Sequence, residues 1–262
     1  MLENVNQINS ETMEHICVIN RVIASHKFQL PQQSFDMMLK ISLLGLRTQV
    51  KRITVEGLRT LESLAYADRG KIEEWAEDAE IATLCSLLDK EDKSIRDSAV
   101  KCLSAIFMSE DTAIVDKAIM EDILPRLLSA LKNNQSKQAV RNILWCLSNL
   151  IGGSSSHVAA FMAHEELVAE VFQCAKAETV VVCGEAMWTI CNAIRGSESS
   201  LRLFFEEHQD ELIFALCEGL NNPRLTDPQL IVAMIQATDR LLCLDLDDTQ
   251  ELHDQTKVSE IF

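Results

Sequence analysis

Apolar positions recur at a helical period along most of the chain. Segments 34–46, 54–67, 80–92, 94–110, 122–134, 165–178, 210–222 and 229–244 space Leu, Ile, Val, Met and Phe three and four residues apart. That spacing predicts amphipathic helices with one face turned inward. Shorter apolar runs at 112–120, 157–163 and 200–208 predict a short helix at the start of three successive groups. Ahead of Pro31, the positions Met13, Ile16, Val18, Val22 and Ile23 predict one more amphipathic helix. Pro125 falls in the first turn of its segment, where a missing N–H costs nothing.

Within this pattern one phrase occurs twice. NILWCLSNLIGG (142–153) and EAMWTICNAIRG (185–196) both read Trp-x-x-x-Asn followed by glycine, and their tryptophans are 43 residues apart. In a helix the fourth residue onward lies one turn above, so each indole has its amide as a neighbour. The same register places Arg59, Lys101 and Ile235 at the Trp position of other groups, and Ser63, Ala105 and Asp239 at the Asn position. The Asn positions, 63, 105, 149, 192 and 239, are separated by 42, 44, 43 and 47 residues, the last interval holding the longer NNPRLTDP turn. A helical repeat in the forties marks stacked armadillo or HEAT units, and three helices per group select armadillo. The expected fold is all-α: a right-handed superhelical armadillo-repeat solenoid of about five three-helix units. The expected organisation is an N-terminal helical or flexible segment (1–30), the solenoid (31–245) and an acidic C-terminal tail (246–262).

Composition narrows the partners. Four prolines, eight glycines and one tyrosine favour helices over a turn-rich β fold. With 24 Lys and Arg against 40 Asp and Glu, the net charge is −16, which repels nucleic acid and anionic membranes and suits a basic partner. The nine cysteines show no Cys-x-x-Cys spacing and fall mostly in apolar helical positions, as small buried hydrophobes in a reducing cytoplasm or nucleus would. No apolar run spans a bilayer, and the polar start is expected to be neither signal nor transit peptide.

Enzymatic chemistry is not expected. GGSSSH (152–157) lacks the Lys-Ser/Thr of a phosphate loop and reads as a turn. His157 and His164 have no HExxH spacing, so neither metal nor cofactor is expected. Cys183 and Cys191 read as structural thiols, and EEWAEDAE around Trp75 as a solvated face.

The repeated helix of a solenoid lines its concave surface, so Trp145, Asn149, Trp188 and Asn192 form a candidate ladder there. An amide offers donor and acceptor to any peptide backbone. Neighbouring indoles form walls for Lys or Arg stems, with cation–π attraction of about 0.5–2 kcal/mol each. Glu185, three residues before Trp188 on the same helical face, is the best candidate to accept the charged heads; Asp239, at an Asn position, is a weaker member of the candidate peptide-binding set.

The segments LWCLSNLIGG and EAMWTICNAIRG resemble the armadillo domain of the importin-alpha family, most closely its C-terminal half. The resemblance implies an adaptor for nuclear transport. Trp145, Asn149, Glu185, Trp188 and Asn192 would bind an extended Lys/Arg-rich nuclear-localisation-signal-like segment of a cargo protein, running antiparallel to the superhelix. It also implies residence in cytoplasm and nucleus. Asn142 replaces the glutamate expected before the first motif, and residues 1–30 hold only Arg21 and Lys27 as basic groups, so a shortened relative or a fragment lacking the family's basic carrier-binding arm is expected. Docking of an import carrier or exporter is therefore open. An exposed apolar end unit would favour a homodimer. The alternative is a general armadillo scaffold for a folded protein partner, with no role in import.

Overall fold

The computed structural model describes residues 10–26, 30–48, 50–76, 78–109, 111–134 and 136–259, with residue 78 and residues 245–259 described by backbone alone. The described residues form fourteen α-helices and one 3-10 turn, with no strand. In chain order they are α1 Ser10–Ser25, α2 Gln32–Arg47, α3 Lys51–Ala67, α4 Arg69–Trp75, α5 Asp78–Ser86, α6 Lys93–Ile106, α7 Thr112–Met120, α8 Ile123–Lys132, α9 Lys137–Ile151, α10 Ser155–Met162, α11 Glu165–Ala175, α12 Val180–Ile194, α13 Glu198–Asn221 and α14 Pro228–Ser259. The side chains of the expected acidic tail (246–262), and residues 1–9 of the N-terminal segment, lie outside the described part.

Short polar residues start these helices. Asp68, Asp92, Asp111, Ser154 and Ser197 each accept a first-turn backbone N–H, satisfying donors that the helix itself leaves open. A three-helix unit results: α4, α5 and α6; then α7, α8 and α9; then α10, α11 and α12. The fifth unit hides its first two helices inside α13, which bends at His208 (φ −133°, ψ 27°). The expected helix at 200–208 is thus the first limb of α13.

The third helices α3, α6, α9, α12 and α14 pack against one another in sequence, as one layer. Their inward residues, among them Leu61, Leu103, Leu144, Leu147 and Ile194, have no exposure. Burying a side chain of this size stabilises by about 1.5–3 kcal/mol. α1 packs on α3 at the start of this layer: the Thr60 hydroxyl donates to the Cys17 carbonyl at 3.4 Å, and Arg21 meets Glu56 at 2.6 Å.

Two expectations change. The buried face of α1 is Met13, Cys17, Asn20 and Ala24, whereas Val22 and Ile23 are exposed. The helix has enough apolar residues for two faces, and only one has a neighbour in α3. Trp75, expected on a solvated face, is half-buried and packs against the main core.

Candidate functional site

The two Trp-x-x-x-Asn motifs occupy α9 and α12, adjacent helices of the third-helix layer. Both indoles are half-buried, neither sealed in the core nor fully open, and Trp188 rests against core side chains. The asparagines sit one turn on, also half-buried. Asn149 donates through Nδ2 to the Ser104 carbonyl of α6 at 3.0 Å. Asn192 repeats the contact one unit later, donating to the Ser148 carbonyl of α9 at 2.9 Å. Two identical contacts one unit apart place both motifs on the same side of the layer.

The amide therefore has a packing role that the sequence did not disclose. It staples each third helix to the one before. An amide nitrogen carries two hydrogens, so one remains for another acceptor, together with the Oδ1 lone pairs. The staple also fixes the direction in which those groups point. The glycine ending the first motif belongs to the same arrangement. A Cβ at Gly152 would lie 3.1 Å from the Ser148 oxygen and 3.3 Å from Asn192 Nδ2, crowding the bond. Gly152 has φ −71°, so close approach, not left-handed backbone, is what selects glycine there.

Glu185 is not a vacant acceptor. Its carboxylate, 12 % exposed, meets Arg141 at 2.8 Å. Burial raises the Glu185 pKa above the ordinary glutamate value, Arg141 opposes that rise, and the nearby Asp227 adds to it. These groups line an open cleft of about 250 Å³ together with Trp188, Arg224 and Leu230. Arg224 is held by the Glu178 carbonyl at 3.5 Å, and Asp227 accepts the backbone N–H of Gln229 at 3.0 Å. Arg141 and Asp227 were not singled out from the sequence. The signal for Arg141 was available: it lies one turn before Trp145 and one repeat length, 44 residues, before Glu185.

The other ladder positions differ. Asp239 and Ile235 are exposed on α14. Arg59 is exposed and pairs with Glu56 at 2.8 Å, Lys101 is exposed, and Ala105 is buried. The carboxyl of Glu62 is raised by burial, against the opposing charges of Lys101 and Arg59. Indole and amide thus coincide only at the third and fourth units.

No group of three His, Cys, Asp or Glu that could hold a metal occurs among the described residues. Burial pushes the thiols of Cys85, Cys146 and Cys191 up to about 12; Cys174 is half-buried, and Cys217 and Cys243 are the two exposed exceptions to the mostly buried reading. His157, dismissed as a metal ligand, is fully buried and meets Asp116 at 2.9 Å. No described helix is long and apolar enough to cross a membrane.

No family model matches the chain, and no curated protein matches it. Solved structures do. A designed armadillo repeat protein superposes with a TM-score of 0.77 at 14% identity, covering 91% of this chain and 97% of that one. This is an armadillo solenoid. A second designed armadillo protein, solved in complex with the peptide (KR)4, gives a TM-score of 0.74 at 16% identity over 91% and 96% of the two chains. Computationally designed armadillo repeat proteins for modular peptide recognition give 0.73 at 14% identity over 91% and 97%. At such identities the likeness is one of fold. The third helices of this armadillo chain carry the indoles, the amides and the Arg141–Glu185 pair described above.

Proposed function

We propose that this chain is a non-enzymatic adaptor that holds extended Lys/Arg-rich segments of partner proteins in the groove lined by its third helices. The observation that carries the reading is the repeated staple. Asn149 and Asn192 sit in the same register on neighbouring helices, each with one amide hydrogen and its Oδ1 left for a peptide backbone. Trp145 and Trp188, half-buried one turn earlier, supply apolar and cation–π surface for the stems of Lys or Arg. The net charge of −16 steers cations toward the chain and repels nucleic acid. The designed relative solved with (KR)4 adds support of a general kind, because its fold accepts a cationic peptide. Nuclear-localisation-signal-like segments are the ligand class that fits, with importin-alpha-type transport or its regulation, in cytoplasm and nucleus, as the setting.

A second reading, an armadillo scaffold for a folded partner, is favoured by one observation: the best-placed groove carboxylate, Glu185, is already paired with Arg141. Fluorescence anisotropy of a labelled (Lys-Arg)4 octapeptide decides between them. Groove binding gives saturable association that weakens as salt rises, and falls on the order of tenfold in the Asn149→Ala/Asn192→Ala double variant. An affinity unchanged by both substitutions would favour the scaffold.

A further inference from the structure

Arg141 sits where a ligand cation is expected to sit. Its guanidinium is 2.8 Å from Glu185, and the residue lines the same cleft as Trp188 and Asp227. The cleft holds two acidic and two basic side chains, and the two bases are not equivalent. Arg224 donates to the Glu178 backbone carbonyl, while Arg141 pairs with the carboxylate that the groove would offer a ligand.

We propose that Arg141 is the resident occupant of the cation site between α9 and α12, so that a peptide Lys or Arg binds there only by displacing it. The inference rests on the groove reading above, since it needs a cationic ligand on this layer. The physical case is one of competition for a single carboxylate. Glu185 is nearly enclosed, with 12 % of its side chain exposed, whereas the Arg141 side chain is 39 % exposed and can swing outward into water provided that an incoming cation takes its place on the carboxylate. The cleft is open and large enough, at about 250 Å³, for one guanidinium or ammonium group. Displacement therefore exchanges one ion pair for another and costs little, while ligands without a correctly placed cation gain nothing from the site. Asp227, close enough to Glu185 to influence its ionisation, is the second carboxylate a bidentate guanidinium could reach. Arginine should consequently be preferred over lysine at this position of the peptide.

The test is a titration of labelled (Lys-Arg)4, (Arg)8 and (Lys)8 peptides against the whole chain, comparing wild type, Arg141→Met and Arg141→Met/Glu185→Gln. Methionine keeps most of the arginine stem, and Arg141→Gln serves as a second neutral replacement should the first melt early. Removing the resident charge is expected to tighten (Lys-Arg)4 on the order of fivefold. Adding Glu185→Gln is expected to abolish that gain. Equal or weaker binding by both Arg141 variants, alongside clear binding by wild type, overturns the proposal and leaves the groove standing. An absence of peptide binding in wild type and variants alike overturns both.

Discussion

Asn192 holds the Ser148 carbonyl at 2.9 Å, and Ser148 is the residue before Asn149, whose own amide holds the Ser104 carbonyl at 3.0 Å. The two bonds link α6, α9 and α12 in one chain of contacts. Replacing either asparagine with alanine is expected to destabilise the fold by about 1 kcal/mol, lowering the melting temperature by roughly 2–4 °C. Thermal melts of the single variants check this. They also supply the control that peptide titrations need, since a modest loss of stability must not be mistaken for a loss of contact.

Gly152 and Asn192 should be energetically coupled. A methyl at Gly152 intrudes on the amide at 3.3 Å, so Gly152→Ala costs more when Asn192 is present than when it has been changed to alanine. A double-mutant cycle by chemical denaturation measures the difference, expected at about 0.5 kcal/mol or more.

Gly57→Ala is expected to destabilise although alanine is the better helix former. The added Cβ would stand 2.9 Å from the Ser42 carbonyl oxygen, a backbone atom of α2 that cannot rotate aside. Forcing α2 and α3 apart costs about 1–3 kcal/mol, which outweighs the gain of about 1 kcal/mol in helix propensity. Urea denaturation reads the balance directly.

The fold was legible in the sequence because two signals agreed. The apolar spacing marked helices, and the Trp/Asn register marked their stacking at a repeat in the forties. What escaped were partnerships across that repeat. Arg141 and Glu185 are 44 residues apart and become neighbours only when α9 lies beside α12. The amide staples are of the same kind: Asn149 beside Trp145 reads as a ligand contact until the Ser104 carbonyl is seen facing it. Trp75 was misread for a local reason, since a charge run hides one buried face of a short helix. For α1 the mistake was one of direction, because apolar residues lie on more sides of it than α3 can cover.

Glu185 should titrate above the ordinary glutamate range, chiefly because it is buried. Arg141 lowers its pKa, so Arg141→Met is expected to raise it further. The sign of the stability effect follows. The loss of stability in Arg141→Met is fully present above the raised pKa, where Glu185 is ionised without its partner. It is lost as the pH falls from the variant's raised value to that of the wild type, below which Glu185 is protonated in both folded proteins. Carboxyl NMR titration, with denaturation of both proteins at neutral and acid pH, checks the two statements.

Native-state thiol labelling is expected to modify Cys217 and Cys243 promptly, the two exposed cysteines. Cys85, Cys102, Cys146 and Cys191 should react only on unfolding, because each is buried and its thiol is held in the protonated form. Mass spectrometry of the labelled chain, before and after denaturant, distinguishes the two classes.

The central claim is that a stretched cationic peptide lies across the indoles of α9 and α12. The chain has three tryptophans, so in a Trp75→Phe variant Trp145 and Trp188 are the two indoles left to report under tryptophan-selective excitation. Titrating that variant with (Lys-Arg)4 is expected to change the emission in a saturable way, with a midpoint that moves to higher peptide concentration as salt is added. Emission that stays constant while anisotropy reports a bound peptide would place the ligand elsewhere and contradict the claim.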